Sequence, residues 1–260
     1  MGTALVTGAS AGIGLELARM FAADKHNLVL VARRREKLEE LAAAWTQEFG
    51  VKVTVVEADL SQAQAPQSVF AATQAAGIEV DYLVNNAGFG TNGAFWELDA
   101  QRELEQIQVN VTSLVHLTHL FLPAMVARKT GAVLNIASTA GFQGGPFMAT
   151  YYATKAFVVT FTEALAVELH GTGVTATAHC PGATYSEFAQ TAGTDKTRLF
   201  QRSGVATSQA VAADAYRAML SGRPIRIHGL MNKIGVFGTR FAPRAVSAAI
   251  AAKLNRPPGE

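Results

Sequence analysis

The apolar run Ala4-Leu5-Val6-Thr7 passes directly into Gly8-Ala9-Ser10-Ala11-Gly12-Ile13-Gly14 and then into the pattern Leu15, Leu17, Ala18, Phe21. The run reads as a buried strand and the spacing after the glycines as a helix. A strand, a glycine-rich turn and a helix in that order constrain the chain to a βα unit. Such a unit offers backbone N–H groups and a helix N-terminus to an anion, a pyrophosphate above all. The spacing is G-x-x-x-G-x-G rather than the commoner G-x-G-x-x-G. Glycines also serve ordinary βα turns, but a second apolar strand, Leu28-Val29-Leu30-Val31, follows one helix later and favours nucleotide binding.

The alternation continues along the chain. Strands are predicted near 3–7, 27–32, 51–57, 80–85, 131–138, 174–180 and 224–228, with helices near 12–24, 35–49, 65–77, 101–129, 151–170 and 207–221. Strands separated by helices imply an α/β fold: a doubly wound parallel sheet of about seven strands with helices on both faces. At 260 residues and 49% hydrophobic content the chain can bury one large core. No linker or repeat divides it, so 1–260 reads as a single domain. Residues 230–260 form a helical extension of that domain, with Val246, Ala249, Ile250 and Leu254 at helical spacing.

Tyr151 and Lys155 stand one helical turn apart and share a face. A phenol beside an ammonium is a proton donor that can work near neutral pH. A unit charge about 4 Å away at an effective dielectric near 20 supplies ~4 kcal/mol, enough to bring a tyrosine from ~10 into range. The expectation is therefore that Lys155 lowers Tyr151.

Thr7 through Gly14, Asn85-Asn86-Ala87-Gly88, Asn110, Ser138, Tyr151 with Lys155, and Pro181-Gly182 resemble, in order and spacing, the short-chain dehydrogenase/reductase family. The resemblance runs from the first strand to about Gly229. It implies a Rossmann-type fold, a nicotinamide cofactor and hydride transfer between that cofactor and a carbonyl or alcohol carbon. It further implies catalytic roles for four residues. Ser138 would hold the substrate oxygen, Tyr151 would give or take its proton, Lys155 would tune Tyr151 and bind the nicotinamide ribose, and Asn110 would hold a water feeding the relay. Cofactor contacts would come from Gly8, Ser10, Gly12, Ile13, Gly14, Asp59, Leu60, Asn86, Ala87, Gly88, Pro181, Gly182 and Ser186, besides Tyr151 and Lys155. Ser186 stands where the family often has Thr, and keeps the hydroxyl. Ser138 could also serve as an N-cap, and Asn110 could merely kink its helix.

The second strand leads into Ala32-Arg33-Arg34-Arg35, with no carboxylate where the family's NAD users carry Asp. A guanidinium grips phosphate with paired charge-assisted hydrogen bonds. Arg33 and Arg34 are therefore assigned to a 2′-phosphate, and NADP is the expected cofactor.

Phe188, Leu199 and Phe200 after Pro181-Gly182, with Phe89, Phe95, Phe142, Phe147 and Met148, point to an apolar pocket and a hydrophobic carbonyl substrate. A hydrophobic ketone, a steroid-like carbonyl and a 3-oxoacyl chain all fit. A non-enzymatic NADP(H) sensor or scaffold is the alternative, although such relatives usually lose the Tyr/Lys pair. From Arg223 to Arg256 every charged residue is basic. A solvated helix covering the substrate side explains that run, and a membrane-surface or acyl-carrier contact is the sharper alternative. The extension puts the family's usual tetramer in doubt, leaving a homo-oligomer, dimer or tetramer.

No metal site is expected, because His26, His116, His119, His170, His179 and His228 are scattered in sequence. The net charge of +2 gives no footprint for nucleic acid. No apolar stretch is expected to reach the ~20 residues of a membrane span. With no secretory signal before the first strand and a lone Cys180 in an apolar run, a cytoplasmic location is expected.

Overall fold

The β-branched and aliphatic runs pair into a seven-stranded parallel sheet in the computed structural model, which describes residues 2–194, 197–201 and 205–257. In chain order the elements are β1 (Thr3–Thr7), α1 (Gly12–Ala23), β2 (Asn27–Ala32), α2 (Arg35–Phe49), β3 (Val53–Glu57), α3 (Ala65–Ala75), β4 (Tyr82–Asn85) and α4 (Ala100–Ile107). There follow α5 (Leu114–Arg128), β5 (Gly131–Ile136), α6 (Ala149–Glu168), β6 (Val174–Cys180), β7 (Thr184–Tyr185), α7 (Glu187–Thr191) and α8 (Arg198–Gln201). The chain continues through β8 (Ala206–Thr207), α9 (Ser208–Leu220), β9 (Ile225–Ile227), α10 (Leu230–Thr239) and α11 (Arg244–Asn255).

The strand order is β3-β2-β1-β4-β5-β6-β9. The chain winds outward in one direction through β3 and in the other from β4, so the order reverses between β1 and β4. That reversal opens a crevice at the carboxyl ends of those two strands, where open α/β sheets take their ligands. Alternate side chains enter opposite layers. Ala4, Val6, Leu28 and Leu30 pack with Leu17, Phe21, Trp45 and Met219 under α1, α2 and α9. Leu5, Val29 and Val31 pack with Val69, Leu117, Phe121 and Leu165 under α3, α5 and α6. Strands covered on both faces are mostly apolar, which is why they read as near-continuous runs.

Three features depart from expectation. The single helix expected over 101–129 is broken by a π-helical turn at Gln108–Ser113, between α4 and α5. That continuous segment, Ala100–Arg128, spans 29 residues and is long and apolar enough by length and composition to cross a membrane, contrary to the sequence reading. Its inner face, Leu114, Leu117, Thr118, Phe121 and Met125, is buried against the sheet, as befits a core helix. Finally, α7, α8, α10 and the small β7–β8 ribbon were not anticipated as separate elements. They are short, or lie in a segment whose apolar residues point outward.

Candidate active site

The glycine turn carries the backbone across the crevice. Gly8 and Gly12 have φ of 65° and 55°, the left-handed region that other residues enter at a cost. Gly14 is required for a different reason, because a Cβ there would lie 2.3 Å from Asn86 Nδ2 and 2.4 Å from the Gly8 carbonyl oxygen. The absent side chain lets α1 close onto the strand ends. Thr7 completes the junction, its Oγ1 donating to the Val84 carbonyl at 3.2 Å and accepting from the N–H groups of Asn86 and Ala87 at 3.0 Å. Helix α1 has no side-chain cap and no acidic residue in its first turn. Its first N–H groups are thus left for an anion.

A cleft of about 1600 Å³ runs from this turn to the far end of the sheet. Gly8, Ser10, Gly12, Ile13, Arg33, Arg34, Asp59, Leu60, Asn86, Ala87, Gly88, Pro181, Gly182 and Ser186 line it, as do Ser138, Tyr151 and Lys155. Gly14 and Asn110, also expected at the site, lie behind the lining. Arg33 and Arg34 are both exposed at one end. Arg34 donates from Nε and Nη2 to Ser10 Oγ at 3.3 and 3.1 Å, and its Nη2 pairs with Glu187 of α7 at 2.9 Å. A strap thus crosses the cleft from the turn after β2 to α7. The donor set fits a dinucleotide carrying a 2′-phosphate: positive φ at the turn, free helix N–H groups and two guanidinium groups where a carboxylate would repel that phosphate.

At the other end Ser138, Tyr151 and Lys155 converge. Strand β5 stops at Ile136, and Ser138 begins a 3₁₀ turn whose Ala140 N–H it caps at 3.1 Å. The serine therefore caps and also faces the site; its hydroxyl reaches the Pro181 carbonyl at 3.4 Å. Lys155 is buried and donates to the Ile136 carbonyl at 2.7 Å. A Cβ on Gly88 would sit 3.5 Å from Lys155 Nζ and 3.0 Å from Asn110 Oδ1, so glycine there keeps the floor open. The Asn110 amide is spent on positioning: it donates to the Phe89 carbonyl at 2.9 Å and to Thr154 Oγ1 at 3.1 Å, and accepts from the Phe89 N–H at 3.1 Å. Asn110 falls within the π-helical turn, so the kink and the clamp are one feature.

Burial rather than Lys155 dominates the electrostatics of Tyr151, which differs from the expectation. Burial raises its pKa well above the ordinary phenol, with only the Ser138 hydroxyl opposing. Lys155 Nζ is 5.8 Å from the Tyr151 ring centroid and is turned to a carbonyl. Desolvation also lowers Lys155 to about 8. Tyr151 is half-buried and Lys155 buried on the wall of the same cleft, and desolvation disfavours the charged form of each.

Sequence inspection missed the polar ladder that fixes α6. Asn85 Nδ2 donates to Thr118 Oγ1 at 3.0 Å and to Asn135 Oδ1 at 2.9 Å, and Asn135 Nδ2 donates to Thr162 Oγ1 at 2.9 Å. It ties α5, β4, β5 and α6 across the sheet, with Asn85 and Asn135 as polar interruptions in apolar strands being its only sequence signal. The histidines are also less scattered than they read. His179 Nε2 and His228 Nδ1 each lie 3.2 Å from Asp214 Oδ2, and the donor atoms of the three residues fall within 4.8 Å of one another. Arg226 holds both oxygens of Asp214, at 2.7–3.1 Å, so an ion pair already closes the cluster. Burial would raise Asp214, but hydrogen bonds from Arg226, His179 and His228 outweigh it and hold the carboxyl low.

The apolar wall is partly as expected. Phe89, Met148, Phe188 and Phe200 line the cleft, and the Phe188 ring centroid is 5.3 Å from that of Tyr151. Phe95, Phe142 and Phe147 do not line it: Phe95 is exposed, Phe142 packs in the core and Phe147 lies under Arg256. The Leu199 side chain lies outside the described residues. Leu230, Met231, Val236, Ile250 and Leu254 add to the apolar wall from α10 and α11. Helix α11 is moored by Asn255, which is buried, exchanges hydrogen bonds with the Tyr152 hydroxyl at 3.1–3.2 Å, and accepts at its carbonyl from Asn92 at 2.7 Å.

The sequence model of the short chain dehydrogenase family matches residues 2–197. This chain belongs to that family. The short-chain dehydrogenase described here is 36% identical over 170 residues to 7beta-hydroxysteroid dehydrogenase of Collinsella aerofaciens, spanning 65% of this chain and 64% of that one. It is 34% identical over 223 residues to ketoacyl reductase HetN of Nostoc sp., covering 84% of this chain and 75% of the relative. Among solved structures, a short-chain dehydrogenase from Sphingobium yanoikuyae in complex with NADPH superposes with a TM-score of 0.82 at 33% identity, covering 93% of this chain and 94% of that chain. The family is one of oxidoreductases that use a nicotinamide cofactor, with a Rossmann-like seven-stranded sheet.

Proposed function

We propose that this short-chain dehydrogenase is an NADPH-dependent reductase of a hydrophobic carbonyl, acting in the cytoplasm as one domain over 1–260 and as a homo-oligomer. The observation that carries the reading is the convergence of Ser138, Tyr151 and Lys155 at the carboxyl ends of the strands, in the same cleft that holds Arg33 and Arg34. The 33%-identical neighbour whose structure contains NADPH and the relatives named for ketoacyl and hydroxysteroid chemistry support it.

When bound, the cofactor supplies the hydride. The Gly8–Gly14 turn and the α1 N-terminus hold its pyrophosphate, Asp59 and Leu60 flank the adenine, and Arg33 with Arg34 take the 2′-phosphate. Asn86, Ala87, Gly88, Pro181, Gly182 and Ser186 complete that wall. Ser138 orients the substrate oxygen. Tyr151 donates its proton to that oxygen as the carbon is reduced. A raised pKa suits this direction: the phenol stays protonated at neutral pH, while the alkoxide forming next to it is more basic still. Lys155, held by the Ile136 carbonyl, offers its remaining N–H donors to the ribose, and Asn110 holds the Phe89 loop against α6. The apolar lining of Phe89, Phe188, Phe200 and Leu254 excludes water and favours a ketone, steroid-like or 3-oxoacyl substrate. Exposed Leu104 and Ile107 on α4, with Phe157 and Val167 on α6, offer a second copy an apolar face.

A panel of ketones, aldehydes and oxoacyl thioesters, followed by loss of reduced-nicotinamide absorbance with NADPH and NADH, tests the reading. Arg33→Ala with Arg34→Ala raises KM for NADPH far more than for NADH. Failure across the whole panel would point instead to an NADP(H) sensor.

A further inference from the structure

Helix α10 is built inside out. Its buried residue is Val236, and the half-buried Asn232 and Thr239 share that inward side. At 3.6 residues per turn, Leu230, Ile234, Phe237 and Phe241 fall within an arc of about 60° directly opposite. They are 71%, 56%, 60% and 75% exposed. Phe241 continues the row on the turn after the helix, its ring 5.1 Å from that of Phe237. Met231 flanks the row, and Val246 and Ile250 of α11 extend the exposed apolar surface. An amphipathic helix on a water-facing surface shows the opposite arrangement.

We propose that this face docks on an anionic lipid surface, with the mouth of the cleft at the interface. Charge selects that occupant. Lys233, Arg240, Arg244 and Lys253 accompany the row, there is no acidic residue between Arg223 and Arg256, and none of those four cations has a carboxylate partner among the described residues. A second copy seated on the same face would bring two sets of these cations together, whereas an anionic bilayer receives cations and apolar side chains at once. Shape agrees: a convex row of protruding side chains needs a complementary groove on a protein, while the acyl–headgroup boundary takes it as it stands. The face also adjoins the cleft, because Leu230, Met231 and Ile250 belong to both. The docking does not depend on which carbonyl is reduced.

Co-sedimentation of the full chain with vesicles of phosphatidylcholine, with and without phosphatidylglycerol, tests the proposal. Binding should appear with the anionic lipid and weaken as salt is raised. Phe237→Ser with Phe241→Ser should abolish it. Arg240→Glu should weaken it by about fivefold or more, from the contribution of each cation near an anionic surface. None of these side chains lines the cleft, so unchanged thermal melting and unchanged reduction of a water-soluble ketone certify that the variants are folded. No binding to either vesicle would overturn the proposal. So would a dimer, seen by sedimentation velocity, that the Phe237/Phe241 variant splits, since a second copy would then cover the face. Equal binding to both vesicles would overturn the charge argument and with it the proposed occupant.

Discussion

Glu187→Gln should improve the enzyme's use of NADPH. In the free protein Glu187 of α7 holds Arg34 at 2.9 Å, with the two side chains 59% and 50% exposed. A 2′-phosphate that takes Arg34 must first displace this carboxylate. The pair is open to solvent, so its strength lies in the range of exposed ion pairs, ~0.2–1 kcal/mol. At ~1.4 kcal/mol per tenfold, its loss lowers KM for NADPH by about 1.4- to 5-fold. NADH carries no 2′-phosphate and should be unmoved. Steady-state kinetics with both cofactors at saturating carbonyl decide the matter, repeated at high salt, where the difference should shrink. A rise in KM for NADPH, or an equal fall for NADH, would refute both the competition and the placement of the phosphate on Arg34.

Tyr151→Phe should lower kcat by about 10²–10⁴ while leaving NADPH affinity, read by quenching of intrinsic fluorescence, nearly intact. Acid should destabilise the fold in a defined window. Burial lowers His179 from 6.5 to about 4, so the unfolded chain takes up that proton first. The stabilisation from a neutral His179 is complete above pH 6.5 and declines as pH falls towards 4, by at most ~1.4 kcal/mol per unit. Asp214, held low, contributes to acid loss only below the ordinary carboxylate range. Urea midpoints between those pH values should fall for the native chain and stay flatter for His179→Gln. Asn255→Ala removes the partner of the Tyr152 hydroxyl and should cost about 1–3 kcal/mol in thermal or urea unfolding, together with a higher KM for the carbonyl.

The sheet was legible because buried parallel strands are written as largely apolar runs, and the glycine turn because few other sequences satisfy its geometry. The residues that line the glycine-turn end of the cleft were legible for the same reason, being local to strand ends. What escaped was relational. Asn85 and Asn135 lie far apart in sequence and become a ladder only when β4 and β5 pair. His179 and His228 read as isolated until β6 and β9 lie side by side over Asp214. Tyr151 and Lys155 do share a helix face, but adjacency did not decide their electrostatics. Their common burial did, and burial is a property of what surrounds a pair. Phe95 and Phe147 show the converse, since aromatic character alone does not reveal which way a loop residue points.

The mooring of Asn255 gives the molecule a division of labour with evolutionary reach. The lining at the glycine-turn end of the cleft comes largely from residues up to Gly88, while α7, α10 and α11 add lining after Ser186, and Asn255 fastens α11 to Tyr152 and Asn92. A lineage could therefore exchange its last helices and acquire a new substrate without rewriting its redox chemistry. Such an exchange has to keep a partner for the buried Tyr152 hydroxyl, next in sequence to Tyr151.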